Sequence, residues 1–216
     1  PEDLVLAIET PSLDLTNELM KQCDRVLATG GGAMVNAAYS SGTPALGVGV
    51  GNAVITVDET ADLDDAAEKI RISKTLDLAA SCSADNSVVL VDKIYDEMLG
   101  KLKDQGGYLV NDEEKQKLQG TLWDDEGHLN TAIVAQPAGK IADMAGLDIP
   151  EDTAFYIVPE DGYGSEHPFS GEKLSVVMAL YKADDIDDAI QLFQDRHFDG
   201  VERMYLKYEV TQADVT

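Results

Sequence analysis

Three stretches of the chain carry residue types that could do chemistry. The first is Ser81-Cys82-Ser83-Ala84-Asp85-Asn86, set between a helix-like run (Ala61 to Ala80) and an apolar run (Ser87 to Val91). A cysteine at such a junction can be held rigidly with its sulfur in a cleft. Thiolate sulfur is strongly nucleophilic, and a polar loop can lower its pKa and expose it. Cys82 is therefore a candidate nucleophile that carries an acyl group as a thioester. The alternative is a small buried hydrophobe, the common fate of free cysteine. The second stretch is Val26-Leu27-Ala28 running into Thr29-Gly30-Gly31-Gly32 and then Ala33 to Tyr39. Strand, glycine turn, helix points free N–H groups at a phosphate or a cofactor. It is not G-x-G-x-x-G, and glycines also serve plain tight turns. The third is Gly47-Val48-Gly49-Val50-Gly51. Alternating glycines leave one face bare, so either packed backbone or a flat ring approaches there.

The elements that must position these groups follow in chain order. Leu4 to Ile8 reads as a short strand, and Ser12 as the N-cap of a helix with Leu13, Leu15, Leu19 and Met20. A strand is expected from Ala45 to Asn52 and another from Ala53 to Val57. Asp58 to Ala80 reads as helical, its early acids and later Lys69, Arg71 and Lys74 suiting the helix dipole. Asp92 to Lys103 is amphipathic, with a core stripe of Ile94, Tyr95, Met98, Leu99 and Leu102. Gly106-Gly107 breaks it. Helices are expected at Asn111 to Gln119, around Ile141 and at Asp184 to Phe193, and strands at Ala154 to Val158 and Leu174 to Tyr181. Strands and helices alternate throughout, so the fold class is α/β with mostly parallel strands.

The chain has 216 residues, enough for one large or two small domains, and 44 % of them are hydrophobic. Its 41 Asp and Glu outweigh 16 Lys and Arg, giving a net charge of −25. That argues against nucleic acid and anionic membranes as partners, since both require basic surface. No apolar stretch is long enough to span a membrane. Two cysteines, Cys23 and Cys82, make no disulfide framework, and a cytoplasmic setting is expected. The histidines carry no zinc-like spacing, so no metal is expected. His128 reads as exposed, while His167 lies close in sequence to Glu172 and could border a site.

Several motifs in order resemble one family. They are Leu27-Ala28-Thr29-Gly30-Gly31, Ala37 to Gly49, Gly51-Asn52, Ser73-Lys74-Thr75, Ser81 to Val89 and Gly171-Glu172-Lys173-Leu174-Ser175. Together they resemble the CoA-acylating branch of the aldehyde dehydrogenase superfamily. The likeness is to the acetaldehyde dehydrogenase half of bifunctional aldehyde-alcohol dehydrogenases and to acylating sulfoacetaldehyde dehydrogenases. It runs from Pro1 to about Phe193.

The resemblance implies that Cys82 is the nucleophile and that Thr29, Gly30 and Gly31 lie near the cofactor pyrophosphate and ribose. Gly47 and Gly49 belong to the same cofactor-binding set. Glu172 would accept hydrogen bonds from the nicotinamide ribose, and Leu174 would pack near the nicotinamide. The implied cofactor is NAD, with coenzyme A as co-substrate and a short-chain aldehyde such as acetaldehyde as substrate. A hydrolytic relative activates water with a Glu in an E-L-G-G-like stretch. The corresponding Gly47-Val48-Gly49-Val50 has no carboxylate here, which favours CoA, a good nucleophile without a base. The implied organisation is a partial Rossmann-type NAD-binding segment (1–52), a catalytic cysteine domain (53–195) and an unassigned tail (196–216). The chain would be the middle of a longer enzyme, a homo-oligomer when whole. It departs from the family at Asp77-Leu78, at Val176 and from His197 onward, including Met204 to Val210. Two other readings stand beside it: a hydrolytic aldehyde dehydrogenase, and a truncated non-catalytic assembly module of the same fold.

Overall fold

Two short apolar strands can pair in parallel only through a crossover, and the first fifty residues supply one helix for it. The structure is a computed structural model and describes residues 5–49, 51–194 and 206–207. The chain divides into two units, Pro1–Val50 and Gly51–Thr216. In the first, Ser12 caps α1 (Leu13–Gln22), its hydroxyl accepting the Leu15 N–H at 3.2 Å. Strand β1 (Val26–Thr29), helix α2 (Gly32–Ser40) and strand β2 (Ala45–Val48) form a parallel β-α-β unit, Val26 opposite Ala45. Met20, Val26, Ala28 and Ala38 make its small core. Leu27 and Leu46 stand on the other face of the two strands and are exposed.

Two expectations fail in this unit. Residues 5–8 form no strand, and Val5 is 85 % exposed. An apolar run becomes a strand only where a neighbour completes its ladder, and none of the described residues does so here. The strand expected to reach Asn52 stops at Val48.

The second unit is built on one parallel sheet. Its strands are β3 (Ala53–Val57), β4 (Asp85–Val91), β5 (Gly107–Leu109), β6 (Phe155–Pro159), β7 (Val177–Ala183) and the two-residue β8 (Leu206–Lys207), in the order β5-β6-β7-β4-β3-β8. Strand β4 is buried along its whole length and lies between β3 and β7. A parallel strand covered on both faces reads as a continuous apolar run, as Val88-Val89-Leu90-Val91 does. Helix α3 (Leu63–Thr75) is capped by Asp62, whose carboxylate accepts the Asp64 and Asp65 N–H groups. Helix α4 (Tyr95–Asp104) buries Met98 and Leu102 and packs against α3, while Tyr95 and Leu99 lie partly buried along the expected stripe. Gly106, at φ +87°, turns the chain into β5. Helix α5 (Asp112–Leu122) begins with a reciprocal Asn111–Glu114 capping box. Helices α6 (Ala138–Ala145) and α7 (Ile186–Gln194) complete the unit.

Two boundaries that differ from the sequence reading border the cysteine loop and the Glu172 segment. Helix α3 ends at Thr75 rather than Ala80. Asp77, Leu78 and Ala79 then adopt left-handed backbone, φ +46°, +53° and +57°. The expected strand from Leu174 begins at Val177 instead, and Leu174 itself has φ +45°. Of the expected tail (196–216), Leu206 and Lys207 alone fall within the described residues, pairing with Val54 and Ile55 of β3. His197 and the rest of Met204 to Val210 lie outside them.

Leu102 is fully buried between α4 and the sheet. Leu102→Ala should lower unfolding stability by about 2–5 kcal/mol. Urea titration would show this as a lower midpoint at unchanged slope.

Candidate active site

Cys82 sits at the crest of a tight turn and is exposed. The Ala84 N–H donates to the Ser81 carbonyl at 2.9 Å, and the Ser81 and Ser83 hydroxyls share a 2.9 Å hydrogen bond. Buried Ala79 and Ala84 pin the loop on either side. Upstream, the three left-handed residues cost about 1–2 kcal/mol each, so the surroundings, not local preference, set this path. No hydrogen bond engages Cys82 among the described residues, which leaves its N–H available as a donor. The thiol is thus presented on a fixed loop, not sunk in the core as a small hydrophobe.

Gly51 explains how the loop is held. It is buried, and a Cβ built there would lie 2.7 Å from the Cys82 carbonyl oxygen. The same glycine's N–H donates to the Glu172 carboxylate. Gly51 therefore touches the cysteine loop on one side and Glu172 on the other. Half-buried Glu172 is pushed above the usual carboxylate range by burial, against the opposing pull of the Gly51 N–H and the Lys173 charge. Leu174 is partly buried, and its carbonyl accepts the N–H of Ala135, itself left-handed at φ +54°.

Side-chain to backbone hydrogen bonds lock these segments together. The Asn86 carboxamide oxygen accepts the Lys173 N–H at 3.1 Å. Asn52 donates to the Ser170 carbonyl at 2.8 Å. Lys173 Nζ donates to the carbonyls of Phe169 (2.6 Å) and Gly171 (2.7 Å). Cys82 and Glu172 are thereby joined at the N-terminal ends of β3, β4 and β7, opposite to the carboxyl-end crevice where open α/β sheets usually bind ligands.

Beneath the loop lies a group of buried polar residues that the sequence reading missed. Lys74, Asp85, Ser87, Lys173, Ser175 and Asn52 are all essentially inaccessible. The sequence offers Lys74 only as a cation suiting the dipole late in α3, but it is buried. Burial pulls its ammonium down to about 7, partly countered by Asp85. Burial also pulls Lys173 well down, helped by the Lys74 charge and opposed by Glu160 and Glu172. The hint in the sequence was that each lysine stands inside a quoted motif, Ser73-Lys74-Thr75 or Glu172-Lys173-Leu174. Charge alone gave no reason to bury them.

His167 binds Glu160 rather than Glu172. Its Nδ1 lies 2.9 Å from Glu160 Oε1, while Lys115 Nζ lies 3.2 Å from Oε2. Burial would raise the Glu160 carboxyl, but these two partners hold it below its ordinary value. Asp161 completes a carboxylate–imidazole group whose donor atoms could reach one cation, though Glu160 is already neutralised by Lys115. His128 is exposed and pairs with Asp124 at 3.3 Å.

The first unit holds Thr29, Gly30, Gly31, Gly47 and Gly49. Helix α2 starts at N-cap Gly31 with no side-chain cap, and a Cβ at Gly31, Gly32 or Gly49 would meet nothing within 4 Å. Exposed Thr29 ends β1, and the Gly30 N–H is taken by the Val48 carbonyl at 3.0 Å. Unsatisfied N–H groups under open space suit a dinucleotide pyrophosphate. Gly47 is different. Its side-chain space is filled by Val35 and Tyr39 of α2, with a Cβ falling 2.6 Å from Val35 Cγ1. The Tyr39 hydroxyl accepts its N–H at 3.0 Å. Helix packing, not a ring, is what requires glycine there.

The chain is similar to several known enzymes. The bifunctional aldehyde-alcohol dehydrogenase of Escherichia coli (strain K12) is 44 % identical over 193 residues, 88 % of this chain and 22 % of that enzyme. The acylating sulfoacetaldehyde dehydrogenase of Cupriavidus necator is 47 % identical over 194 residues, 88 % of this chain and 39 % of its own. The crystal structure of an acetylating aldehyde dehydrogenase from Geobacillus thermoglucosidasius superposes with a TM-score of 0.92 at 37 % identity, covering 100 % of this chain and 48 % of that one. A Rhodopseudomonas palustris propionaldehyde dehydrogenase, solved with bound CoA and an acylated cysteine, gives a TM-score of 0.79 at 30 % identity, over 85 % of this chain and 42 % of that one. The chain thus spans less than half the length of these relatives. A family model described as bacteriophage T4 neck protein gp13 matches residues 182–216.

Lys74 makes stability depend on pH in a definite direction. From about 7 up to 10.5 the unfolded chain holds a proton on Lys74 that the folded protein has lost. Its contribution to unfolding stability therefore rises with pH across that window. Lys74→Met should be more stable than the parent at and below about pH 7. The gap should close as pH rises toward 10.5, read as urea midpoints.

Proposed function

We propose that this chain, a homologue of the CoA-acylating aldehyde dehydrogenases, carries the reacting thiol and part of the cofactor site of an enzyme that oxidises a short-chain aldehyde to its acyl-CoA. The observation that carries the reading is the Gly51 junction, where an exposed Cys82 and a half-buried Glu172 meet one buried glycine.

Cys82 thiolate attacks the aldehyde carbonyl, and the Cys82 N–H is placed to donate to the oxygen as negative charge develops on it. A bound nicotinamide dinucleotide, NAD in our reading, supplies the hydride acceptor. Thr29, Gly30, Gly31 and Gly49 would hold its pyrophosphate side. Glu172 would accept hydrogen bonds from the nicotinamide ribose, with Leu174 packed nearby. The hydride loss leaves an acyl thioester on Cys82.

The next step separates acylating from hydrolytic chemistry. No carboxylate or imidazole hydrogen-bonds Cys82 among the described residues. Water attack without a base is slow, whereas a CoA thiolate needs little help. The products are acyl-CoA and free Cys82 thiolate, and the sequence is reversible. Acetaldehyde is our proposed substrate, supported by relatives named for acetylating and aldehyde-alcohol activities.

The reverse acyl transfer tests this most directly. Incubation with acetyl-CoA should add one acetyl group by intact mass, absent in Cys82→Ser. No adduct, with Cys82 alkylated no faster than Cys23, would leave the non-catalytic assembly reading. Gly51→Ala should cut the acetylation rate at least tenfold, since the added methyl collides with the Cys82 carbonyl, while circular dichroism stays unchanged.

A further inference from the structure

Buried side chains, not strand pairing, hold the backbone around Glu172. Strand β7 begins only at Val177, and Leu174 ahead of it takes left-handed backbone, φ +45°. Three side chains supply the bonds that a ladder would give. Asn52 donates to the Ser170 carbonyl at 2.8 Å. Asn86 accepts the Lys173 N–H at 3.1 Å. The Lys173 ammonium donates to the carbonyls of Phe169 at 2.6 Å and Gly171 at 2.7 Å. Asn52 and Lys173 are fully inaccessible, and Asn86 is nearly so.

Two of these bonds bracket Glu172 itself. The Gly171 carbonyl belongs to the peptide before Glu172, and the Lys173 N–H to the peptide after it. Each peptide is planar, so holding both leaves the two soft dihedrals of Glu172 little freedom. The direction of its Cα–Cβ bond is thereby set, and its carboxylate reaches the Gly51 N–H. Burying an ammonium is unfavourable, and an apolar side chain would fill the space without that penalty. Two carbonyls that converge in a dry interior need a donor, and this one ammonium serves both. Asn86 adds the link to the thiol. It lies on β4, shortly after Cys82, and its amide N–H reaches the Ala84 carbonyl at 3.5 Å. One carboxamide thus touches the cysteine loop and the peptide that follows Glu172.

We propose that Lys173 and Asn86 are positioning residues for Glu172, fixing the peptides on either side of it so that its carboxylate stays on Gly51 beside the cysteine loop. The inference rests on the reading above, in which Glu172 meets the nicotinamide ribose, for its use but not for its geometry. A carboxylate that must accept from a ribose gains from being held in place before the ligand arrives. The charged groups facing Lys173 are Lys74, Glu160 and Glu172. Burial raises the Glu172 carboxyl, while the Gly51 N–H and the Lys173 charge oppose that rise. Removing Lys173 therefore has two separable effects. Lost charge moves the Glu172 titration to higher pH; lost positioning takes the carboxylate off Gly51.

The test is a pH titration of the Gly51 amide by nitrogen–proton NMR, since that resonance reports its bond to the Glu172 carboxylate. In the parent chain the Gly51 resonance should move with pH, with its midpoint above the usual carboxylate range. Glu172→Gln should abolish the movement. Lys173→Met and Asn86→Ala should each lose it too, with the amides of the core strands in place. A role in stability alone lowers the urea midpoint and leaves the titration intact. A Gly51 titration kept in either variant that folds overturns the proposal. In Lys173→Met, one kept but displaced to higher pH shows charge acting without positioning. A parent resonance that does not titrate overturns it as well. If neither variant folds, hydrogen exchange in the parent decides. The Lys173 N–H should exchange as slowly as the buried Val88 and Val89 amides, and rapid exchange overturns the proposal. Acetyl-CoA labelling run in parallel separates the two readings. Titration lost in the variants, without acetylation of the parent, removes the acyl-transfer function and keeps this inference; acetylation with an unaltered titration does the reverse.

Discussion

The second unit depends on one close approach. The Cys82 carbonyl passes so near Gly51 that a methyl group there would overlap it, and the Gly51 N–H reaches Glu172 from the same place. Backbone against backbone is the tightest packing a chain can make, and only glycine permits it. Everything about the thiol's placement follows. The loop cannot slide along β3, so the main chain at Cys82 is fixed. The left-handed run at Asp77–Ala79 is the counterpart of this constraint, since the chain must leave α3 early to reach that spot.

A second feature runs against stability. The sheet buries β4, β6 and β7 almost completely, which supplies the hydrophobic drive for the fold. Into the N-terminal ends of those strands the sequence inserts two lysines, an aspartate and several hydroxyl or amide groups. Such groups weaken a core unless hydrogen-bonded, and the Lys74 ammonium and the Ser87 and Ser175 hydroxyls make no hydrogen bond among the described residues. Strain and buried charge gather where Cys82 and Glu172 meet, which is the pattern expected of a reactive site.

The net charge of −25 has little bearing on this interior. The acids lie mainly on solvent-facing helix turns, where Asp62 and Glu114 do capping work and Asp64, Asp65 and Glu113 pair with lysines. Any anion meeting so acidic a surface relies on local N–H groups, and the uncapped start of α2 offers them.

The sequence by itself determined the fold class, most of the order of strands and helices, the Ser12 cap and the amphipathic stripe of α4. These are local or periodic properties, carried by side-chain alternation, helical spacing and capping chemistry within a few residues. It also pointed to Cys82 and Glu172, through motif context. Leu4 to Ile8 shows the limit, because an apolar run without a neighbour to pair with is no strand. Lys74 and Gly47 show it again. From the chain alone, one is a helix-end cation and the other a place for either packed backbone or a ring; in space, one is buried beneath the cysteine loop and the other is filled by Tyr39 and Val35. Only the tertiary structure could decide these, because burial and close approach depend on residues far apart in the chain: Lys74 on Lys173, Gly51 on Cys82 and Glu172, Asn52 on Ser170.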